Sequence, residues 1–303
     1  MGMNGLNGGM CQMQKYSHGK RKVRVGKVRR GSKTHDFVEY EVAMQLEGGT
    51  EKAFTEGDNS MVISTDTVKN NCYVVAKKDA MLNPESYSIA LAIHMLEEYP
   101  FITGVRVHTV EKPWARVEVD GRPHAHGFVR GSYGEQIGEV VIRRNGESSV
   151  QGSIENLDVL KTTQSGWEGF YKDRYTTLGE TDERMLATTV SARWKYAATK
   201  GIDFAAVHAR ILDVIKQEFY GDSTTGKYSP GVQNTQYLIA TNVLKVCPEV
   251  DEIQLILPNI HFLPCKIPAF EKNNIPFEDD VFIPTSEPQG EIQCTLVRPR
   301  AKL

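Results

Sequence analysis

The 303-residue sequence has no apolar stretch approaching the roughly 20 residues that span a bilayer, which excludes a helical membrane anchor. It has no charge excess either. With 36 Lys and Arg against 38 Asp and Glu, the formal net charge is -2, so no whole-molecule field directs the chain to nucleic acid or anionic lipid. Cysteine is sparse. Cys11, Cys72, Cys247, Cys265 and Cys294 are odd in number and widely scattered, and none forms the C-x-x-C unit of a zinc or dithiol site, which fits synthesis in a reducing compartment. Also missing are H-E-x-x-H, a phosphate-cradling P-loop and the G-x-S-x-G elbow, so metalloprotease, nucleotide and acyl-enzyme chemistry lack their usual signals.

The first fifteen residues, MGMNGLNGGMCQMQK, have no apolar core of a signal peptide, and their Gly, Met, Asn and Gln bias predicts a disordered segment. Met1-Gly2 opens like a myristoylation site, but Leu6 stands where Ser or Thr is required. Ala301-Lys302-Leu303 differs by one small residue from the Ser-Lys-Leu peroxisomal address, a weak signal by itself.

Between these ends the hydrophobic pattern alternates between strand and helix periods. Val23 and Val25 alternate with Arg and Lys, Gly26 breaks the phase as a bulge would, and Val38 to Leu46 alternates again, giving an antiparallel pair. Thr65 is placed to cap a helix running through Val68 and Tyr73. Asn83-Pro84-Glu85 reads as a cap with Pro at the first helical position, and Ile89, Ile93 and Leu96 form the predicted apolar face of the next helix. Strands resume at Gly104 to Val110, Ala115 to Val119 and near Val140 to Ile142. From about residue 149 the order repeats: strands around Ile154 to Leu160 and Met185 to Tyr196, then a helix from Asp203 with Phe204, Val207, Ile211, Ile215 and Phe219 inward and Gly221 as its stop. A second helix opens at Ser229-Pro230 with Val232, Ile239, Val243 and Val246 on one face, and strands follow at Ile253 to Leu257 and Ile292 to Leu296. The expectation is an α+β duplication of two β-β-α-α-β-β units, residues 16–148 and 149–300, whose open sheet edges invite closure by further copies of the chain.

Several segments carry polar groups at places where chemistry is possible. Eight basic residues fall between Lys20 and Lys33, but valines rather than stacking aromatics interleave them, so a solvated strand face is the plain reading and a nucleic-acid surface the weaker one. The run from Asp58 to Asn70 leads into a helix start, where backbone N–H groups and the helix dipole favour an anion. Leu257-Pro258-Asn259-Ile260-His261 places an amide and an imidazole two residues apart on a strand, pointing the same way. His124 and His126 offer two imidazoles without the third and fourth ligands that a metal requires, and read as turn-stabilising.

Taken in order, G-K-x-x-V-R-V at Gly19, S-T-D-T-V-K-N ending at Asn70, W-A-R-V-E-V-D-G-R-P-H-A-H at Trp114, L-K-T-T-Q-S-G-W-E-G-F at Leu160, Y-T-T-L at Tyr175, E-R at Glu183, S-P-G-V-Q at Ser229 and L-P-N-I-H at Leu257 resemble the urate oxidase family over nearly the whole chain from Tyr16. The resemblance implies the tandem tunnelling fold (T-fold), with antiparallel sheets forming barrels on oligomerisation, a homotetramer, and purine sites at subunit interfaces. It implies oxidation of urate by O2 and water, with O2 as co-substrate and neither cofactor nor metal, to 5-hydroxyisourate and H2O2. By motif, Arg184 would clamp urate with its planar fork and Gln233 would read the opposite edge. The Val232 backbone and the Asp66 amide complete the rim, and Trp167 lies beneath the ring where the family pattern has Phe. Lys20, Thr65 and His261 would form the proton relay, and Thr65 and Asn259 would hold O2 and then water above the ring. A peroxisomal location suits an enzyme that makes H2O2, and gives Ala301-Lys302-Leu303 an import receptor as partner. Two other readings of the same fold are weaker. A non-catalytic purine binder has no need of Lys20, Thr65, Asn259 and His261 together, and a pterin enzyme reads its heterocycle with a carboxylate where this chain has Gln233.

Overall fold

The computed structural model describes residues 13–299 apart from Ser32 and Ser132, so Ala301-Lys302-Leu303 and most of the N-terminal fifteen residues lie outside the described part. The chain begins with the hairpin β1 (Ser17–Arg29) and β2 (Asp36–Glu47), then a short helix α1 (Glu51–Thr55) and two longer ones, α2 (Thr65–Lys78) and α3 (Pro84–Glu98). Next come β3 (Gly104–Glu111), a hairpin of β4 (Trp114–Val119) and β5 (Arg122–Arg130), and β6 (Glu135–Arg143). The order then recurs as β7 (Ser148–Lys161), β8 (Leu186–Tyr196), α4 (Phe204–Tyr220), α5 (Val232–Val246) and β9 (Val250–Pro264). The described chain ends with a short helix α6 (Pro268–Lys272), β10 (Phe282–Thr285) and β11 (Glu291–Val297).

Among the described residues nine strands form one antiparallel sheet in the order β1-β2-β3-β6-β7-β8-β9, with β10 and β11 both pairing along the far edge of β9. Strand alternation makes this sheet two-faced. Val42, Met44 and Leu46 of β2, Val105 and Val107 of β3, Ala192, Trp194 and Tyr196 of β8, and Ile253, Leu255 and Leu257 of β9 are all buried in one continuous core with the helices. The intervening positions carry ion pairs such as Arg193–Glu155 at 2.7 Å and Arg106–Glu139 at 3.3 Å.

Helix ends follow the chemistry of their caps. Asn83 accepts from the Ser86 amide at 2.8 Å with Pro84 as the first helical residue, and Asp203 accepts from the Ala206 amide at 3.0 Å. Gly221 ends α4 at φ 75, a left-handed conformation that glycine adopts without steric cost. The expected face of α4 is the buried one, whereas the faces of α3 and α5 need correction. In α3 the buried stripe is Tyr87, Ser88, Leu91, Ala92 and Met95, with the expected Ile89 and Leu96 partly buried against the same core; Ile93 alone of the expected face is exposed. In α5 Val246 is exposed and Cys247, just beyond the helix, is buried in its place.

The β1 bulge also lies elsewhere than Gly26, which pairs in register with Glu39. The register shifts between Lys20, opposite Met44, and Val23, opposite Val42, and Lys22 takes a positive φ of 58. Directly opposed residues of an antiparallel pair share a face. The extra residue therefore places Lys20 and Val23, three apart in sequence, both on the helix side.

One buried group spans the molecule. Glu85 of α3 is fully buried, accepts from Tyr196 Oη of β8 at 3.1 Å and from Gln136 Nε2 of β6 at 3.3 Å, and burial pushes its carboxyl up to about 7. The folded chain holds this proton to about pH 7, whereas the unfolded chain releases it near ~4.3, so the folded state binds more protons in between and stability declines as pH rises through that window. Glu85→Gln should therefore gain on the wild type above about pH 8, by at most about 4 kcal/mol. Urea unfolding across pH checks this, and parallel pH profiles for the two proteins would refute it.

Candidate functional site

The expected site residues fall into two groups at opposite ends of the sheet. The first contains Lys20, Thr65 and Asp66. Gly19, just before Lys20, packs so closely on β2 that a Cβ there would lie 1.9 Å from Met44 O, which fixes the backbone leading into the bulge. His18 Nε2 lies 3.1 Å from Ile63 O, tying the same stretch of β1 to the loop that enters α2. The cap of α2 is Ser64 rather than Thr65: Ser64 Oγ accepts from the Thr67 amide at 3.1 Å, and Thr65 is the first helical residue with an exposed side chain. Sequence favoured Thr65 because Ser and Thr are both good caps, and the one-residue choice depends on where the backbone turns helical. The Asp66 carboxylate is occupied by Lys69 Nζ and, at 3.2 Å, by Asn70 Nδ2, which hold it below the usual carboxylate range, with Lys20 adding to the effect. That leaves the Thr65 and Asp66 amides at the helix mouth, among the N–H groups that a helix start cannot pair internally.

The second group is carried by three loops and β9. Gly166 N donates to Ser229 O at 2.9 Å, Ser229 N to Gln164 O at 2.9 Å, and Arg184 N to Ser165 O at 2.8 Å, so the segments bearing Trp167, Arg184 and Val232-Gln233 are laced together. Trp167 is bridged in both directions to Thr181 and its ring stacks on Phe170 at 5.7 Å and 11°. The Arg184 guanidinium carbon stands 5.8 Å from the Trp167 ring centre. Asn259 and His261 point the same way along β9, and both line one cavity of about 270 Å³ with Arg184, Thr181, Leu186 and Phe282. Trp167, Val232 and Gln233 are not part of that lining; Arg184 and the loop bonds link them to it. Gln233 is exposed at the first turn of α5, and Val232 is buried.

Arg184 is the unusual group. It is half-buried, and burial pulls its guanidinium below the ordinary arginine value. Among the described residues no carboxylate pairs with it, and its Nε is buried without a hydrogen-bond partner, as are the hydroxyls of Ser165 and of Thr188, which lies opposite Asn259. Burying such groups unpartnered is unfavourable, so the arrangement suits an anionic, hydrogen-bonding ligand.

Three residues of the basic strand near the N-terminus are occupied internally. Arg24 pairs with Glu39, Lys27 donates to Ala76 O at 2.7 Å, and Arg29 donates to Ala80 O at 2.9 Å. Among the described residues no three His, Cys, Asp or Glu side chains converge as metal ligands would, and no helix is long and apolar enough to cross a membrane. His124 serves its turn: its Nδ1 accepts from the His126 amide at 3.2 Å.

A sequence model described as Uricase matches residues 16–141 and 150–293. The chain belongs to the uricase family. It is 42% identical over 295 residues to Uricase-2 isozyme 1 of Canavalia lineata, covering 94% of this chain and 96% of that one. It is 35% identical over 281 residues to the uricase of Oryctolagus cuniculus, covering 93% of each. The crystal structure of uricase from Arthrobacter globiformis superposes with a TM-score of 0.85 at 33% identity, covering 97% of this chain and 98% of that one. The mixed helix and antiparallel-sheet architecture is accordingly the α+β T-fold.

The cap assignment predicts a separation of effects. Ser64→Ala should cost about 1 kcal/mol of stability, whereas Thr65→Ala should stay within about 0.5 kcal/mol of the wild type. Chemical denaturation of the two variants side by side decides this; a larger loss for Thr65→Ala would return the cap to Thr65.

Proposed function

We propose that this chain is a urate oxidase, an oxidoreductase that needs no cofactor and takes urate and O2 in sites shared between copies of itself. The observation that carries the reading is Arg184, an unpaired and half-buried guanidinium beside Trp167, sharing a cavity with Asn259 and His261. A planar anion answers that arrangement. The guanidinium fork donates two parallel bonds to a carbonyl oxygen and an adjacent deprotonated ring nitrogen, Gln233 and the Val232 backbone take the opposite edge, and the Trp167 ring holds the purine flat.

Lys20, Thr65 and Asp66 belong to the other end of the same sheet. From β1 to β9 there are six strand steps, or about 29 Å of sheet at ~4.8 Å each. A second copy of the chain supplies the missing half. The outer edges of β1 and of the β10–β11 side are open to further pairing, which supports closure into a barrel and a homotetramer of stacked barrels. The two stretches matched by the family model part between residues 141 and 150, in line with units of 16–148 and 149–300.

In the assembled site Lys20, Thr65 and His261 relay protons. A proton leaves urate through this relay, the electron-rich purine passes electrons singly to O2, and a peroxide adduct collapses to H2O2 and a dehydrogenated purine. Water held by Thr65 and Asn259 then adds from the same face, giving 5-hydroxyisourate. Both oxygen atoms of O2 leave as H2O2, and the added oxygen comes from water. Peroxisomal delivery through Ala301-Lys302-Leu303 belongs to this proposal, since a peroxide-forming enzyme suits that compartment.

The purified protein should consume urate and O2 in equal amounts with matched H2O2 formation, followed together by ultraviolet absorbance and electrodes. Tight urate binding without turnover would favour a binding protein. Lys20→Met and Thr65→Ala should lower kcat by about 10²- to 10⁴-fold with little change in KM, whereas Arg184→Ala should raise KM as well. Co-expressing Lys20→Met with Arg184→Ala tests the shared site. Half of randomly formed pairs are mixed and each mixed pair rebuilds one intact site of two, so about a quarter of wild-type activity should return; no recovery would place the site within one chain.

A further inference from the structure

We infer that Gly231 and Trp167 form a size-matched pair, in which the missing side chain of Gly231 sets the position of the stacking ring and makes Gly231 a positioning residue for the purine. The inference rests on the urate reading above. Gly231 is the residue that caps α5, with φ 166 and ψ 155, an extended conformation open to any residue. It makes no side-chain capping bond, although Ser, Asn or Asp here would satisfy a helix N–H and stabilise by about 1 kcal/mol over an uncapped residue. Neither backbone shape nor capping selects glycine.

Space does. A Cβ on residue 231 would lie 2.8 Å from Trp167 Cζ3, 3.1 Å from Trp167 Cε3 and 3.1 Å from Gln233 Oε1. Cζ3 and Cε3 belong to the fused benzo ring of the indole, which phenylalanine lacks. Trp167 has little room to retreat, since its N–H and C=O are both bonded to Thr181 and its ring is stacked on Phe170. A methyl group at 231 must therefore displace the indole, the Gln233 amide or both, and each of these touches the purine in the proposed site. Gly231 is the counterpart of the larger ring, and the two positions are coupled.

The test is a double-mutant cycle of Gly231→Ala, Trp167→Phe and their combination, with urate KM, kcat and the melting temperature without ligand measured for each. Gly231→Ala should raise KM by about tenfold with kcat changed less than about threefold, because the groups displaced bind the ring and do not move protons. In the Trp167→Phe background the same alanine should change KM by less than about twofold. The melting temperature should fall on Gly231→Ala in the tryptophan background and hold steady in the phenylalanine background. Equal effects of the alanine in both backgrounds, on KM and on melting, would overturn the pairing. Coupling in melting without coupling in KM would leave packing alone and overturn the positioning role. Because melting needs no urate, failure of the oxidase reading would appear separately, as a wild-type protein without turnover.

Discussion

An antiparallel sheet covered by helices on one face is the constraint from which the rest follows. Alternation assigns every side chain to the covered or the open face, and a slip of one residue would exchange the two sets. The covered face is met with Val, Leu, Ile, Met, Tyr and Trp; the open face keeps pairs such as Arg143–Glu47 at 2.7 Å. The side chains proposed for catalysis that face the helices at the sheet margin therefore rest on a local exception or a strand end. The β1 bulge provides the first for Lys20, and the end of β9 beyond Leu257 provides the second for Asn259 and His261.

Arg184 shows how burial and pairing divide between stability and the proposed function. Where arginine serves the fold here, it is matched: Arg143 meets Glu47, and Arg298 donates to the carbonyls of Leu244, Cys247 and Val250. Arg184 is held by backbone bonds around it while its own buried Nε is left unmatched. Arg210 Nε is also buried without a partner, but its guanidinium meets Glu249 at 2.7 Å, whereas among the described residues no carboxylate answers Arg184, which leaves that charge for a ligand.

Much of this was legible in the residues. Strong alternation marked β2, β3 and β9, and the apolar spacing of α4 together with Asp203 and Gly221 marked that helix and both its ends. The ordered motifs carried the family. Three features were not legible, each for a physical reason. Gly26 signals a bulge as readily as any strand glycine, yet the shift occurs at Arg21-Lys22, where cross-strand register decides and local propensity does not. Ser64 and Thr65 are equivalent as letters, and only the backbone turn separates the cap from the first helical residue. Gly231 looked like part of a motif, whereas its meaning lies in a contact with Trp167, 64 positions away in sequence, that no periodicity encodes.

The two ends of the sheet are prepared in complementary ways. A helix start is an anion site only if the chain does not fill it, and an aspartate in the first turn is well placed to do so. In α2 the neighbours are engaged so that this does not happen: Ser64 takes the Thr67 amide, while Lys69 and Asn70 hold the Asp66 carboxylate away along the helix. The Thr65 hydroxyl and the first amides are left facing outward. At the other end, the buried Arg184 Nε finds no acceptor among the described residues. One surface therefore offers amides and a hydroxyl, the other a cation and a flat aromatic face, and neither is satisfied among the described residues. In the proposed site a single planar anion with hydrogen-bonding edges satisfies both at once, after two copies have brought the surfaces together. On that proposal substrate binding and assembly draw on the same unmet groups.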